Sequence, residues 1–485
     1  MNIATKPERL VNISPVYLIN CCIALALMIG FKFIPASAPL TPMGMSVIGI
    51  FLGMLYGWLV VGDFFWPSIA ALVFLGLSGY MKISEAFTAG FGNSTVLLIL
   101  FFFAFTNIID NAGLTEYIAV WMTSRKFIQG RPYVLTLMVL LAIVVLSMMI
   151  TMSAAVLVLF PIIKRISEVY GIKPGESWPI HMFVGVAFVG STAYMLLPFK
   201  PLQAAVFANY QAISGTTIPY SPYFLIVVAM TIGAIIGTLA LMKFVFKTDV
   251  SKIVNSKNAL LESPPLTGYQ KFIIGYFILV VFCMLFPTIA PKTWDITKTL
   301  NNIGNTGIMA ISVVLWAAMK IVSRPTIPQL FSKNVTWSIL FILAAALTIA
   351  GAISSKQTGI SAWLVLVLTP IVSGKSAIVF VCLIALISCV LTNFANNIPT
   401  AALLTPIIYA IGTAVGLNDQ AMVICMLFAA NIGLITPPAS TPAAIIHGDS
   451  EWVPGITAYK LGLTFSLYNV VLILLICYPL GGLLF

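Results

Sequence analysis

VLTNFANNIPTAALLTPII, residues 390–408, places a run of polar side chains inside one of the longest apolar regions of the chain. The polar residues are three asparagines and two threonines: Thr392, Asn393, Asn396, Asn397 and Thr400. Pro399 lies among them, and a proline inside a helix removes a backbone donor and clashes with the preceding turn. The stretch therefore predicts a broken helix with polar groups gathered at the break.

The sequence around this stretch is that of an integral membrane protein. Of 485 residues, 60% are hydrophobic and 8% are charged, against about 25% charged in an ordinary soluble domain. Eleven apolar stretches are long enough to span a bilayer: 14–34, 43–61, 63–80, 132–163, 180–198, 222–246, 269–290, 303–322, 377–411, 420–446 and 460–482. Two more, 91–125 and 337–370, are interrupted near their middles. Because the runs do not alternate between polar and apolar residues, they predict helices and not a barrel.

The basic residues indicate how the chain is oriented. An alternative interpretation of the N-terminus is a signal peptide, but its apolar run is longer than a usual h-region and leads into further spans. The net charge of the chain is +11, and its basic residues lie at the ends of spans and in connections, for example at Arg125 and Lys247. This distribution favours a positive-inside topology over an acidic partner, so we expect no nucleic-acid partner. The spans predict a multi-pass protein of the cell membrane. Lys6 and Arg9, which precede the first span, then predict that the N-terminus is cytoplasmic.

The sequence gives no sign of a cofactor. The seven cysteines lie in apolar segments without a C-x-x-C pair, and the two histidines are too few for a multi-histidine metal centre. No P-loop occurs, which argues against nucleotide-driven pumping. We therefore predict no cofactor, with sodium as a possible coupling ion only.

The chain contains an internal repeat. VLSMMITMSAAVLVLFPII (145–163) aligns with residues 390–408 at a constant offset of 245, and the identical pairs include Leu146/Leu391 and Pro161/Pro406. Upstream, NAGLTEYIAVW (111–121) aligns with QTGISAWLVLV (357–367) at an offset of 246. Related halves with interrupted helices at corresponding positions are typical of secondary transporters, whose site lies between the repeats.

The chemistry of a break at membrane depth suits ions. Unwound backbone is tolerated there only where it is buried in protein or lines a watery cavity. The start of the second half-helix offers N–H groups and a positive dipole end for an anion, while carbonyls at the end of the first half-helix suit a hard cation. The competing interpretation is that the asparagines and threonines only join helices to one another. Their number and their repeated position favour a site.

These segments resemble a known family. LSMMITMSAAVLVLFPI (146–162) and LTNFANNIPTAALLTPI (391–407) resemble the paired Ser-Asn-Thr signatures of the divalent anion sodium symporters, which carry dicarboxylates, citrate or sulfate. AGFGNSTVLLIL (89–100), TWSILFIL (336–343) and ASTPAAIIHG (439–448) are similar to that family's two hairpins and its Thr-Pro-Pro-Asn loop. The resemblance implies an elevator-type homodimer with a scaffold domain and a mobile transport domain.

The predicted fold is an all-α polytopic membrane protein of about eleven spans and two hairpins, in two inverted-type repeats. An N-terminal segment with the first span (1–42) precedes the first repeat (43–246), which has a hairpin at about 84–125 and a broken helix at 132–163. A polar loop (247–268) leads to the second repeat and C-terminal span (269–485), with a hairpin at about 331–370 and a broken helix at 377–411.

The resemblance also assigns candidate site residues, with two departures from the family pattern. Met152 stands where the family has an asparagine that contacts both substrate and the first sodium, and Ile398 replaces a threonine. The candidate substrate-binding residues are Thr151, Met152, Ser153, Lys200, Asn396, Asn397, Ile398, Thr400, Ser440 and Thr441. The candidate sodium ligands are Ser147, Thr151, Thr392, Asn396 and Asn397. The second sodium site is thus better preserved than the first.

Lys200 is the third departure. LLPFKPLQAA (196–205) puts this lysine where the family's first Thr-Pro-Pro-Asn loop has a proline. An ionisable side chain at membrane depth suggests function. We predict that its ammonium replaces the first sodium or pairs with the substrate; the alternative is that it snorkels to the interface.

Taken together, the sequence predicts a secondary transporter of a small organic dianion, by sodium symport or by exchange. A C4 dicarboxylate such as succinate or malate is the family's usual substrate, with citrate, 2-oxoglutarate, sulfate or a sulfonate as alternatives. A channel or cation antiporter with the same broken-helix plan is a second hypothesis, although no acid lies in either break. An intramembrane enzyme is disfavoured because no catalytic arrangement of residues lies near the breaks.

Overall fold

The computed structural model describes residues 14–255, 265–319, 326–332, 335–372 and 376–485. Throughout those ranges the chain forms helices and connections, without a strand. Lys6 and Arg9, on which the predicted cytoplasmic N-terminus rests, lie outside the described residues.

Eleven α-helices form the first half of the molecule, and several begin with a proline. They are α1 (Pro15–Gly30), α2 (Pro42–Tyr56), α3 (Trp66–Leu77), α4 (Ile83–Phe91), α5 (Ser94–Asn111), α6 (Leu114–Thr123), α7 (Pro132–Met149), α8 (Met152–Val169), α9 (Ser177–Tyr194), α10 (Pro201–Ser214) and α11 (Tyr220–Ala240). Pro42, Pro132 and Pro201 occupy the first helical turn, where the missing N–H costs nothing because it would have no partner inside the helix.

A short helix, α12 (Ser251–Asn255), lies in the connection, and eleven helices follow it. They are α13 (Gly268–Ile289), α14 (Asp295–Ala318), α15 (Ile327–Ser332), α16 (Trp337–Ser354), α17 (Ile360–Val372), α18 (Ala377–Ala395), α19 (Asn397–Val415), α20 (Asp419–Asn431), α21 (Thr441–Gly448), α22 (Gly455–Leu472) and α23 (Tyr478–Leu484). Helix α14 is kinked at Gly304, whose φ of 66° leaves the helical region.

Among the described residues, nine helices are long and apolar enough to cross a membrane. Two of them, Ser94–Asn111 and Trp337–Ser354, belong to the predicted hairpin regions. The apolar stretch 420–446 is not the continuous span expected from hydropathy, because α20 ends at Asn431 and α21 begins at Thr441. The stretch 180–198 is similarly cut short where α9 ends at Tyr194.

The two halves share their order of elements and a backbone detail. In each half a hairpin region is followed by a broken helix, then by a helix that ends early, a loop, and another helix. Gly113 and Gly359, at the offset of 246 seen in the sequence, both have a positive φ (62° and 67°). Each directly precedes a helix, α6 or α17. Glycine is favoured in this left-handed conformation because it has no Cβ.

Helix α10 connects the two halves of the molecule. It packs against α16 and α19 of the second half. The Asn209 side-chain amide donates to the Ala402 carbonyl (3.4 Å), and the Tyr210 hydroxyl donates to the Asp419 carboxylate (3.0 Å). Helix α10 of the first half is therefore joined to the second hairpin region and to the second broken helix.

Candidate functional site

The first break separates α7 from α8. Ile150 is extended (φ −130°, ψ −177°), and Thr151 begins α8 as its N-cap, with its hydroxyl accepting from the Ala154 N–H at 3.4 Å. Threonine favours this position because its side chain satisfies an N–H that the first turn leaves without a partner. The break thus leaves the last carbonyls of α7 and the first N–H groups of α8 free for other partners.

The second break is at Asn396, between α18 and α19. This residue has a φ of 65° and a ψ of 159°, and its side-chain oxygen accepts from the Asn397 N–H at 2.6 Å. This combination of φ and ψ lies outside the left-handed helical region that asparagine tolerates and is essentially confined to glycine, so the backbone at the break is strained. Pro399 falls in the first turn of α19, where its missing N–H is harmless.

Two further interruptions face these breaks. Residues 195–200 join α9 to α10, and residues 432–440 join α20 to α21. The second loop is bound to the end of α18, since the Ile435 N–H donates to the Asn393 side-chain oxygen at 2.7 Å. The Thr436 hydroxyl also donates to the Asn393 carbonyl. Four interruptions of the membrane helices therefore meet in one region.

A cavity of about 750 Å³ lies between them. Eight of the predicted substrate-binding residues line it: Thr151, Met152, Ser153, Asn396, Asn397, Ile398, Ser440 and Thr441. Pro201 and Leu202, the first residues of α10, join them. The wall thus contains the opening residues of α8, α10, α19 and α21, which are the positive ends of four helix dipoles.

Other residues of the wall did not emerge from the sequence. They are polar groups from α9, α20 and the hairpin regions: Ser191, Tyr194, Asn431, Asp110, Thr336 and Ser338. Asp110, near the end of α5, is partly buried and lines the cavity. Asn431 and Tyr194 are the last residues of α20 and α9, so predicting their place required knowing where those helices end.

Four predicted residues lie outside the cavity lining. Thr400 is buried, and its hydroxyl donates to the Asn396 carbonyl one turn earlier at 2.9 Å. Ser147 and Thr392 lie behind the breaks, one turn before Thr151 and Asn396. The fourth, Lys200, lies beneath the first break.

Oxygen atoms converge behind the second break. The Thr392 Oγ1 atom lies 2.8 Å from the Asn397 side-chain oxygen and 2.5 Å from the Ala430 carbonyl oxygen. The Asn397 amide nitrogen donates to the Asn431 carbonyl at 3.2 Å. One hydroxyl proton cannot satisfy two acceptors, so the cluster carries more oxygen lone pairs than protons, which suits a hard cation.

The corresponding place behind the first break is different. Met152, which aligns with Asn397, offers a thioether 3.6 Å from the Ser147 hydroxyl. Its side chain packs onto Gly190 of α9, where an added Cβ would lie 2.6 Å from the Met152 methyl carbon. Thioethers are soft ligands that do not suit sodium. The first break therefore lacks the oxygen cluster of the second.

Lys200 is completely buried, with 0% of its surface exposed. Its ammonium donates to the Ser147 carbonyl and, at 2.8 Å, to the Ile150 carbonyl. It also lies 4.1 Å from the centre of the Tyr194 ring, within cation–π distance. The alternative that Lys200 snorkels to the membrane interface is therefore wrong, because the backbone carbonyls of the first break hold its amino group inside the protein.

Comparison with known proteins gives matches over most of the chain. A family model described as "Citrate transporter" matches residues 57–426. The sodium-dependent dicarboxylate transporter SdcS of Staphylococcus saprophyticus is 24% identical over 432 residues, covering 85% of this chain and 81% of that protein. SdcS of Staphylococcus aureus strain USA300 is 22% identical over 429 residues, with the same coverage of each chain.

Two solved structures share the fold. The YdaH transporter of Alcanivorax borkumensis matches with a TM-score of 0.55 and 13% identity, over 96% of each chain. MtrF of Neisseria gonorrhoeae, from a class of antimetabolite efflux pumps, matches with a TM-score of 0.56 and 14% identity, over 96% of this chain and 95% of its own. At such identities the likeness concerns the fold alone.

Proposed function

Since the chain belongs to the citrate transporter family, we propose that this multi-pass membrane transporter carries small organic dianions of the C4-dicarboxylate type. Succinate and malate are the first candidates, and citrate, sulfate or a sulfonate are the alternatives. Two relatives are sodium-dependent dicarboxylate transporters by name. Transport is secondary, by sodium symport or by anion exchange.

The observation that carries this proposal is the wall of the cavity. Four helices begin at it, and their dipole ends and first-turn N–H groups attract negative charge. Hydroxyls at Ser153 and Thr441 and the side-chain amide of Asn396 supply further donors. Because donors stand on two opposite repeats, a dianion with a carboxylate at each end fits better than a single compact charge.

Ser440 supports the same assignment from the second repeat. Its hydroxyl begins α21 by accepting from the Ala443 N–H at 3.2 Å and donates to the Gly433 carbonyl at 2.6 Å. An added Cβ at Gly433 would lie 3.2 Å from the Asn397 side-chain oxygen. The loop, the N-terminus of α21 and the second break are therefore held in contact, as a common substrate site requires.

The oxygen cluster behind the second break is the proposed sodium site. Thr392, Asn397 and the Ala430 carbonyl form its centre, and Asn396 and Thr151 remain candidate ligands from the breaks. The cluster and the cavity share Asn397. A sodium ion bound behind Asn397 would fix the position of this residue in the cavity wall and add positive charge beside the substrate, which couples the binding of the two.

We further propose an elevator mechanism in a homodimer. The second broken helix, α10 and the second hairpin region pack together across the repeats, which supports movement of the site across the membrane as one body. The scaffold and the dimer contact then come from the remaining helices. The resemblance to the divalent anion sodium symporters implies the same division into a mobile transport domain, built from the two hairpins and the broken helices, and a scaffold that carries the dimer contact.

The test is uptake of labelled succinate into proteoliposomes. An imposed sodium gradient is compared with unlabelled internal dicarboxylate in the absence of sodium, and protein-free liposomes serve as the blank. Accumulation under the first condition identifies symport, and counterflow under the second identifies exchange. If succinate, malate, citrate and sulfate all fail under both conditions with folded protein, the proposed function is wrong.

A further inference from the structure

We propose that the Lys200 ammonium is a resident cation that fills the cation position of the first helix break, so that only the second break binds a coupling ion. The inference rests on the proposed function and specifies how its site balances the charge of a dianion. It predicts that the number of coupled sodium ions is at most one.

The contacts of Lys200 are those of a cation in a binding site. Its ammonium has 0% exposure and bonds to two carbonyls, those of Ser147 and Ile150. Both carbonyls belong to the end of α7, where the helix dipole is negative and the backbone acceptors have no partner inside the helix. The face of the Tyr194 ring, 4.1 Å away, adds a third attraction for positive charge.

The repeat provides an internal comparison. At the offset of 245, Ser147 corresponds to Thr392 and Met152 to Asn397. Behind the second break these residues supply oxygens 2.8 Å apart. Behind the first, a hydroxyl faces a thioether at 3.6 Å. At the first break, therefore, the Met152 sulfur stands where the second break has an oxygen ligand, and the backbone carbonyls bind the Lys200 side chain.

The position of Lys200 in its loop also has a counterpart. Lys200 directly precedes Pro201 at the start of α10, and Ser440 is the N-cap of α21, which has Pro442 in its first turn. The second loop reaches the end of its broken helix through the hydroxyl of Thr436, which donates to the Asn393 carbonyl. In the first loop the lysine bonds instead to the Ser147 and Ile150 carbonyls at the end of α7, and brings a charge with it.

A positive charge at Lys200 would balance part of the charge of a dianion bound in the cavity. Of the described residues that line it, Asp110 is the one with a charged side chain, and its charge is negative. A bound dianion therefore needs positive charge from helix dipoles, from sodium or from Lys200. A lysine held under the first break supplies it without requiring an ion from solution, because the side chain is already desolvated and hydrogen-bonded.

The experiment measures succinate transport in proteoliposomes as a function of sodium concentration. The variants are Lys200→Met, Lys200→Arg and the double variant Lys200→Ser with Met152→Asn, which gives the first break the residue types of a sodium site. Lys164→Met is the matched control. Lys164 also carries a positive charge and forms an ion pair of 2.5 Å with Asp449, but it does not lie at either break.

The wild type should show hyperbolic sodium activation or none. Lys200→Met should lose about tenfold or more of the transport rate, because it removes hydrogen bonds from a charged donor to two buried carbonyls. The double variant should recover transport with a sigmoidal sodium dependence, Lys200→Arg should keep the wild-type curve at reduced rate, and Lys164→Met should leave both rate and curve unchanged.

Three transport results overturn the inference: sigmoidal activation of the wild type, a Lys200→Met variant with wild-type rate and curve, or wild-type uptake driven by a proton gradient and lost in Lys200→Met. Sodium binding can also be measured without transport, as the difference between the unfolding temperatures of the detergent-solubilised protein in sodium chloride and in choline chloride. It should be larger in the double variant than in the wild type, and an equal shift contradicts the inference. Failure of all dianions in the wild type would instead refute the proposed function.

Discussion

Replacing Thr392 by valine tests the proposed sodium site with almost no change of shape. The hydroxyl lies between two oxygen acceptors, the Asn397 side chain at 2.8 Å and the Ala430 carbonyl at 2.5 Å. Thr392 is completely buried, so water cannot replace the lost group. Valine removes one candidate sodium ligand and leaves the two acceptors facing a methyl group.

The size of the effect follows from this geometry. Leaving a buried polar group without its partner costs about 1–3 kcal/mol. Since about 1.4 kcal/mol corresponds to a factor of ten, the sodium concentration for half-maximal succinate uptake should rise about 5- to 150-fold. Thr392→Ser retains the hydroxyl and should stay within a few-fold of the wild type.

Thr405→Val is the matched control for this measurement. Thr405 is also completely buried, but its hydroxyl donates to the Ala401 carbonyl of its own helix at 2.7 Å. It should change thermal stability slightly and leave the sodium dependence unchanged. If Thr392→Val transports with the wild-type sodium dependence, or if Thr405→Val shifts it equally, the oxygen cluster is not the coupling site.

Three further predictions concern the backbone, an ion pair and the substrate loop. Gly359→Ala should lower the unfolding temperature far more than Gly113→Ala. Both glycines have a positive φ, but a Cβ at Gly359 would lie 2.0 Å from a carbonyl oxygen, whereas at Gly113 the nearest atom is 3.9 Å away. Equal losses would show that the steric clash at Gly359 does not determine the effect. The hydrogen bond that Lys252 donates to the Glu176 carboxylate at 2.6 Å lowers the pKa of Glu176. The ion pair therefore stabilises the fold at neutral pH, and this stabilisation is lost as the pH falls through the lowered pKa. The unfolding temperatures of the wild type and Glu176→Gln should differ at pH 7 and converge in acid. Ser440→Ala should raise the KM for succinate about 2- to 10-fold through the loss of one neutral hydrogen bond, with Ser440→Thr closer to wild type; an unchanged KM would remove Ser440 from the site.

Much of this architecture was predictable because polar residues in an apolar chain stand out. The membrane class, the breaks near Thr151 and Asn396 and the internal repeat all followed from the sequence. The family model and the SdcS relatives confirm the resemblance to divalent anion sodium symporters. Gly113 and Gly359 then share a conformation at the predicted offset, which shows that the repeat extends to backbone detail.

The ends of α9 and α20 were not predictable in the same way. Hydropathy averaged over a window does not register a short interruption when the residues on both sides are apolar. Pro437 and Pro438 were a signal that the stretch 420–446 contains a loop. Pro198 and Pro201 similarly follow Tyr194, where α9 ends, but neither pair of prolines fixes the residue at which the helix before it stops. Asn431 and Ser191 were therefore missed, although the Asn431 amide joins the two repeats by donating to the Ser191 carbonyl at 2.5 Å.

The environment of Lys200 could not be decided from its neighbours in sequence. A lysine that snorkels and a lysine that binds a helix end have the same local pattern, because the long side chain serves both. Its partners are carbonyls about fifty residues earlier in the chain, at Ser147 and Ile150. Backbone carbonyls leave no trace in side-chain identity, so only the packing of the loop beneath α7 distinguishes the two arrangements.

The proposed lysine also bears on the choice between symport and exchange. With one sodium ion bound, the two negative charges of the substrate are matched by that ion and the ammonium, so the loaded site crosses the membrane with no net charge from these groups. The empty site retains the lysine charge. Moving one charge against the membrane potential costs about 2.3 kcal/mol per 100 mV, and a negative interior opposes its outward return. Exchange avoids that step because the site is loaded in both directions. The charge arrangement therefore favours exchange, and in symport it makes the return of the empty site the voltage-sensitive step.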